Sequence, residues 1–141
     1  MNFHTLKWIG GVSGYLELID QRKLPGEFVM MDCKTPEEIW DAIKTLAVRG
    51  APAIGVTAGY GVVIGLGKLS GGETIEEAVG VLEEASAYLA TSRPTAVNLF
   101  WALQRVEAKA KSLISSGEVD NVVTLKEAVL LEAHADRKSV V

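Results

Sequence analysis

The stretch that most constrains the fold of this chain is AVRGAPAIGVTAGYG, from Ala47 to Gly61. Small apolar residues recur through it and on to Leu69, with almost no polar side chains. Glycine is a poor helix former, and no alternation of apolar and polar residues marks a strand. Because Arg49, Pro52 and repeated glycines interrupt the apolar run, a membrane span is disfavoured. We therefore predict a helix that is buried inside a globular domain.

The composition of the chain limits its partners. It has 141 residues, 48% of them hydrophobic and 23% charged, with a net charge of −4. Nucleic acids and membrane surfaces require a basic face, so we expect neither as a partner. Cys33 is the single cysteine, which excludes an internal disulfide and fits a reducing compartment. The N-terminus lacks the features of a signal peptide, and we expect a cytoplasmic protein.

Residues 1–135 are predicted to form one α+β domain, in which a small N-terminal antiparallel β-meander precedes an α-helical bundle. The meander is expected within about residues 3–33, in segments that are separated by turn signals at Gly10 to Gly14 and at Pro25-Gly26. Its predicted strands are residues 3–9, 14–20 and 26–33. No βαβ alternation follows, so we expect no doubly wound sheet in this chain.

The helices are expected within about residues 35–133, where the apolar residues recur with helical spacing. Thr35 and Thr74 each precede a glutamate by three residues, which is the pattern of a capping box. Pro94 is predicted to start a third amphipathic helix, and Thr124 is predicted to cap the last one.

Two arginines stand just ahead of prolines that suit the first turn of a helix, in the motifs Arg49-Gly50-Ala51-Pro52 and Arg93-Pro94. A helix N-terminus leaves backbone N–H groups without partners and carries partial positive charge. A neighbouring guanidinium makes such an end a good anion site, and two of them could converge on one phosphate. Either arginine could instead extend into solvent or pair with a nearby glutamate, and the spacing alone does not decide.

The remaining candidates are interpreted as structural. The glycines after Pro52 favour close helix packing, because the P-loop pattern is absent. Cys33 is expected to be a buried thiol with no histidine beside it. We predict no metal site, since His4 and His134 have no other ligands nearby. Three tryptophans are assigned to the core, namely Trp8, Trp40 and Trp101.

Three segments together, LELIDQRKLP, AVRGAPAIGVTAGYG and SRPTAVNLFWAL, resemble the N-terminal part of the S-methyl-5-thioribose-1-phosphate isomerase family. That family shares a superfamily with regulatory subunits of eukaryotic initiation factor 2B and with ribose-1,5-bisphosphate isomerase. The resemblance runs from about Leu6 to Ala133. It implies that the phosphate of a sugar substrate is held by Arg49, Gly50, Ala51 and Arg93.

The resemblance also implies an activity. The family converts the aldose 5-methylthioribose 1-phosphate into the ketose 5-methylthioribulose 1-phosphate, in methionine salvage and without a cofactor. Its catalytic Cys and Asp lie in a following Rossmann-like domain, which this sequence lacks, and Cys33 does not match the catalytic position. We therefore assign no catalytic residue and expect the chain alone to be inactive, whereas the full-length protein would be a homodimer. A regulatory subunit of the initiation factor 2B type and a bisphosphate isomerase remain alternatives.

The last six residues, DRKSVV at 136–141, match the translation of a common sequencing-adapter oligonucleotide. We expect them to be an artefact that should be excluded from the domain. The alternative is a charged C-terminal tail.

Overall fold

The computed structural model describes residues 6–45, 47–48 and 50–140. Residues 139 and 140 are described by their backbone only. A three-stranded sheet precedes five α-helices, so the predicted α+β architecture is confirmed. The strands are β1 (Leu6–Ile9), β2 (Tyr15–Ile19) and β3 (Met30–Cys33). The helices are α1 (Pro36–Lys44), α2 (Ala51–Gly65), α3 (Ile75–Ala90), α4 (Val97–Ser115) and α5 (Val122–Val140). Short 3-10 helices lie at Gln21–Lys23 and Leu66–Lys68.

The sheet is the antiparallel meander that the sequence predicts, in the order β1-β2-β3. Its buried face follows the two-residue period of a strand and consists of Leu6, Trp8, Leu16, Leu18 and Cys33. The third strand is shorter than predicted and begins at Met30 rather than at residue 26. The reason is a local turn, in which the N–H of Glu27 donates to the carbonyl of Lys23 at 2.8 Å and is lost to the ladder.

Helix α2 is the centre of the bundle and contacts the other four helices and strands β1 and β2. It is buried on nearly all sides, which confirms the predicted buried helix. A Cβ at Gly61 would lie 2.8 Å from side-chain carbons of Ile39 and Leu89, and one at Gly65 would lie 2.7 Å from the Cβ of Ala85. Glycine at these positions therefore lets α1 and α3 approach the axis of α2. None of the described helices has the length and apolar character needed to cross a membrane.

Helix α4 begins at Val97 and not at Pro94, so that predicted boundary is wrong. The N–H of Ala96 donates to the carbonyl of Arg93 at 3.0 Å and closes a four-residue turn. Pro94 occupies the second position of this turn, where its fixed φ is favourable and no N–H is required.

Helix α5 also starts differently from the prediction. The Oδ1 atom of Asn121 accepts a hydrogen bond from the N–H of Thr124 at 2.9 Å. The cap is therefore Asn121, and the predicted cap Thr124 lies three residues inside the helix. Its hydroxyl donates back to the carbonyl of Asn121 at 3.1 Å.

The C-terminal end of α5 continues past the predicted limit of the helices near residue 133. Residues 136–140 are helical, and Asp136 forms an ion pair with Arg105 of α4. The boundary between a domain of residues 1–135 and an adapter-derived end stays a prediction, because a helical conformation does not reveal the origin of a sequence.

One of the three tryptophans is misassigned. Trp8 is buried and stacks on Tyr60, and Trp40 is half-buried with its indole N–H donating to the Thr91 hydroxyl. Trp101 is 65% exposed, so its assignment to the core is wrong. The buried stripe of α4 passes through Leu99, Leu103 and Val106. Position 101 falls on the opposite side of a helix with 3.6 residues per turn.

Candidate functional site

The N-terminus of α2 is open. Gly50 precedes it with φ 92° and ψ 130°, a conformation that favours glycine, and no side chain caps the helix. The first bond runs from the N–H of Ile54 to the carbonyl of Gly50, at 3.0 Å. The backbone N–H groups of the helix that come before Ile54 have no carbonyl partner within the helix. Pro52 lies among these residues and has no N–H, so it adds no unpaired donor.

The N-terminus of α4 is open in the same way. Ala96 precedes the helix and has no side-chain group that could cap it. Its carbonyl accepts from the N–H groups of Leu99 and Phe100, at 3.1 and 3.3 Å. The amides of Val97 and Asn98 come before these and have no acceptor within the helix.

Both open helix ends line one cleft with a volume of about 400 Å³, here called the Arg93 cleft. It brings together Gly50, Ala51 and Arg93, three of the four residues that the family resemblance assigns to phosphate binding. The fourth, Arg49, lies outside the described residues. The described residues of its lining are Gly50, Ala51, Ile54, Arg93, Ala96, Val97, Asn98 and Leu99.

Arg93 is the cation of this cleft. Its side chain forms no ion pair and no hydrogen bond within the described part of the chain. Arg22 differs, because its guanidinium forms an ion pair with the carboxylate of Asp20 at 2.8 Å. Pairing with a glutamate, one alternative that the sequence left open, is therefore not seen for Arg93. A half-buried guanidinium without a carboxylate partner can bind an anion.

A second compartment of about 340 Å³ adjoins the Arg93 cleft and shares Ala51 and Asn98 with it. We call it the Trp101 pocket; it is lined by Ala51, Pro52, Gly55, Asn98, Trp101, Ala102, Arg105 and Asp136. Sequence reasoning missed both Asn98 and Trp101 as site residues. The available signal was their place in SRPTAVNLFWAL, one and two turns after the Arg93 motif.

A larger groove of about 680 Å³ lies elsewhere, between the start of α1 and the middle of α3. Two of its polar groups are paired and the helix that begins there is capped. The Thr35 hydroxyl caps α1 by accepting from the N–H of Glu38, and Lys68 forms an ion pair with Glu84 at 3.3 Å. The groove is thus larger than the Arg93 cleft, but it contains no open helix N-terminus.

The titratable groups outside the two compartments have structural roles. Burial raises the pKa of the Cys33 thiol to about 12, with Glu38 contributing, so this buried residue remains a thiol as expected. Burial lowers the pKa of His134, whose Nδ1 lies 2.8 Å from the Tyr60 hydroxyl. Within the described residues, no group of three or more His, Cys, Asp or Glu side chains could hold a metal ion.

Residues 47–136 match the initiation factor 2 subunit family. The chain belongs to this family. It is 51% identical over 124 residues to a 5-deoxyribose 1-phosphate isomerase from Moorella thermoacetica, covering 88% of the chain and 34% of that protein.

Two solved structures of family members resemble the chain. Subunit delta of the translation initiation factor eIF-2B from A. fulgidus has a TM-score of 0.82, and 5-methylthioribose 1-phosphate isomerase from Pyrococcus horikoshii has 0.80. Each is 36% identical, and each match covers 96% of the chain and 36% of the other protein. The chain therefore spans about a third of the length of these family members. The resemblance noted in the sequence is confirmed for family and fold.

Proposed function

We propose that the chain is the phosphate-binding part of a sugar-phosphate isomerase of the initiation factor 2 subunit family. One observation carries the proposal: two uncapped helix N-termini and Arg93, which has no ion-pair partner among the described residues, line the same cleft. A phosphate accepts several hydrogen bonds at once and carries the charge that both helix ends favour. Arg49 is proposed as a second guanidinium at this site, from the motif alone.

The phosphate would lie between the open ends of α2 and α4. The amides of Ala51, Val97 and Asn98 are the donors that the helix starts leave free, and Arg93 supplies the charge. Charge-assisted bonds of this kind are about twice as strong as neutral ones. Binding by fixed backbone groups also suits an acidic protein, which cannot attract an anion through its overall field.

The substrate is proposed to be a pentose 1-phosphate. Family members are named for 5-deoxyribose 1-phosphate and for 5-methylthioribose 1-phosphate. Both sugars carry phosphate at C1 and an apolar group at C5. Isomerisation opens the ring and moves hydrogen from C2 to C1, so that the C2 hydroxyl becomes a carbonyl and the aldose becomes a ketose.

We propose that this chain binds the substrate without turning it over. The hydrogen transfer requires an acid and a base at C1 and C2. The one carboxylate in the two compartments, Asp136, is paired with Arg105. Groups that hold substrate and transition state equally well give binding and little rate. The catalytic Cys and Asp implied by the resemblance would come from the rest of a full-length protein, which needs no cofactor and is proposed to be a homodimer.

A regulatory subunit is the second candidate, because the chain resembles the eIF-2B delta structure as closely as the isomerase structure. A subunit that only contacts other proteins does not require an unpaired arginine at two open helix ends. Binding of phosphate at Arg93 therefore separates the two candidates.

The test is calorimetric titration of the chain with inorganic phosphate and with ribose 1-phosphate. Arg93→Ala should weaken both ligands by about 10- to 100-fold, the value of a hydrogen bond to a charged group. Lys109→Ala is the matched control, because this exposed lysine on α4 removes the same charge away from the cleft. Equal affinities for the parent and Arg93→Ala would reject the phosphate site and favour the regulatory subunit.

A further inference from the structure

Resting on the proposed function, we propose that Trp101 and Asn98 select the substrate by its C5 substituent. The phosphate would occupy the Arg93 cleft, the sugar would cross Asn98, and the apolar C5 group would enter the Trp101 pocket. Neither residue belongs to the arginine motifs, and both emerge from the way in which the two cavities meet.

The two cavities are arranged as neighbours on one surface. Ala51 and Asn98 contribute to the lining of both, so a ligand that is anchored beside Arg93 can extend past them into the second compartment. A pentose 1-phosphate has its phosphate at one end of the sugar and its C5 group at the other. The order of the compartments therefore matches the order of the groups along the ligand.

Charge fixes the direction in which the ligand lies. The cation of the Trp101 pocket is Arg105, which lies 3.8 Å from the carboxylate of Glu132 on α5, a partner within residues 1–135, and also pairs with Asp136. Arg93 has no such partner among the described residues. The phosphate should consequently prefer the Arg93 cleft and leave the Trp101 pocket to the uncharged end of the sugar.

Trp101 supplies the apolar wall. It is 65% exposed, and Pro52, Gly55 and Ala102, which have no polar side-chain atoms, lie in the same pocket, whose charged residues Arg105 and Asp136 are paired with each other. A methyl or methylthio group placed against the indole would remove apolar area from water on both surfaces. A C5 hydroxyl placed there would lose its water without finding a partner on these side chains.

Asn98 stands where the two compartments join. Its half-buried side-chain amide forms no hydrogen bond within the described part of the chain. An amide offers both a donor and an acceptor, which suits a sugar hydroxyl. We expect Asn98 to form a hydrogen bond with a sugar hydroxyl, while Trp101 contacts the C5 substituent and distinguishes apolar from polar groups there.

The experiment compares ligands on one set of variants of the 141-residue chain. Calorimetry gives affinities for inorganic phosphate, ribose 1-phosphate, 5-deoxyribose 1-phosphate and 5-methylthioribose 1-phosphate. The parent should prefer the two apolar C5 groups over ribose 1-phosphate by about tenfold or more, as for a methyl-sized difference in an apolar pocket. Acrylamide quenching follows Trp101 directly, because Trp8 is buried and Trp40 half-buried, and the 5-substituted ligands should protect it.

Trp101→Ala should reduce the C5 preference to about twofold or less and leave the affinity for inorganic phosphate unchanged, while Trp101→Phe should keep most of the preference. Asn98→Ala should weaken every pentose phosphate and spare inorganic phosphate. Leu131→Ala is the control, because Leu131 is 68% exposed on α5 and lines neither compartment.

An unchanged C5 preference in Trp101→Ala would overturn the proposal, and so would an equal loss for all four ligands, which indicates a structural role. Phosphate binding that depends on Arg93 but shows no C5 preference would reject this inference and leave the proposed function standing. Failure of the parent to bind any of the ligands at millimolar concentration would reject both.

Discussion

The five α-helices in the described part of the chain begin in two different ways. Helices α1, α3 and α5 start with a side chain that accepts from their own free N–H groups, from Thr35, Thr74 and Asn121. Helices α2 and α4 start after Gly50 and Ala96, which offer no such acceptor. The capping residues of the three closed ends do not line the Arg93 cleft, whereas the two open ends do.

This difference assigns the helix ends of one bundle to two roles, stability of the fold for the capped ends and binding of an anion for the open ends. A side-chain cap stabilises a helix by about 1 kcal/mol, so the open ends of α2 and α4 forgo stability that the other helices have. An anion placed between them would supply the missing acceptor and receive the favourable field of both helices. The contrast is therefore what we expect of a bundle whose capped ends serve the fold and whose open ends serve a ligand.

Closing one open end is the change with the largest expected effect. Ala96→Asp gives α4 a capping carboxylate, which should raise the free energy of unfolding by about 1 kcal/mol. The same carboxylate occupies the donors and repels an anion, so phosphate affinity should fall by about 10- to 100-fold. Thermal unfolding and calorimetric titration of one preparation measure both effects.

Ala96→Ser is the uncharged companion of Ala96→Asp and should show a similar gain in stability with a smaller loss of phosphate affinity. A variant that gains stability while phosphate affinity is unchanged would show that the end of α4 takes no part in binding.

The open end of α2 also depends on an unusual backbone, and Gly50→Ala tests it. A Cβ at Gly50 would meet no atom within 4 Å, so the φ of 92° is what opposes the substitution. We expect a loss of about 1–3 kcal/mol in the free energy of unfolding. Gly80→Ala is the matched control inside α3, where the added Cβ also meets nothing and should stabilise by about 0.5–1 kcal/mol. A neutral Gly50→Ala, measured by urea unfolding, would contradict the strained entry into α2.

Much of the fold could be predicted from local patterns. The meander follows from short apolar segments separated by turn signals, and the capping-box patterns at Thr35 and Thr74 mark two helix starts correctly. The starts of α4 and α5 were missed because Pro94 and Thr124 suit a helix start in the sequence, while a turn and Asn121 fill these roles. Such choices depend on the closure of single hydrogen bonds, which residue spacing does not specify.

The candidate site could be predicted only in part. The family resemblance assigned Gly50, Ala51 and Arg93 to phosphate binding, and the bundle brings these three residues to one cleft, while their role stays a prediction. Trp101 was assigned to the core because the acidic composition gave no reason to place a tryptophan on a binding surface, and Asn98 was not singled out. Their position depends on which side of α4 meets α2. The contact is made at Gly55, where a Cβ would lie 3.2 Å from the Cβ of Ala102, and the sequence does not specify which residues of α4 face this glycine.

The smallest expected effect on stability and binding together comes from removing the side-chain cap of α3. Thr74→Ala removes the hydroxyl that accepts from the N–H of Glu77 and should lower the free energy of unfolding by about 1 kcal/mol. Thr74→Ser keeps the hydroxyl acceptor and should retain most of the free energy of unfolding that Thr74→Ala loses. Phosphate affinity should be unchanged in both variants, because Thr74 lines neither the Arg93 cleft nor the Trp101 pocket. If Thr74→Ala weakened phosphate binding as strongly as Ala96→Asp does, the caps and the cleft would be coupled through the bundle. In that case, ligand binding at the N-termini of α2 and α4 would not explain why these two helices lack the caps that α1, α3 and α5 have.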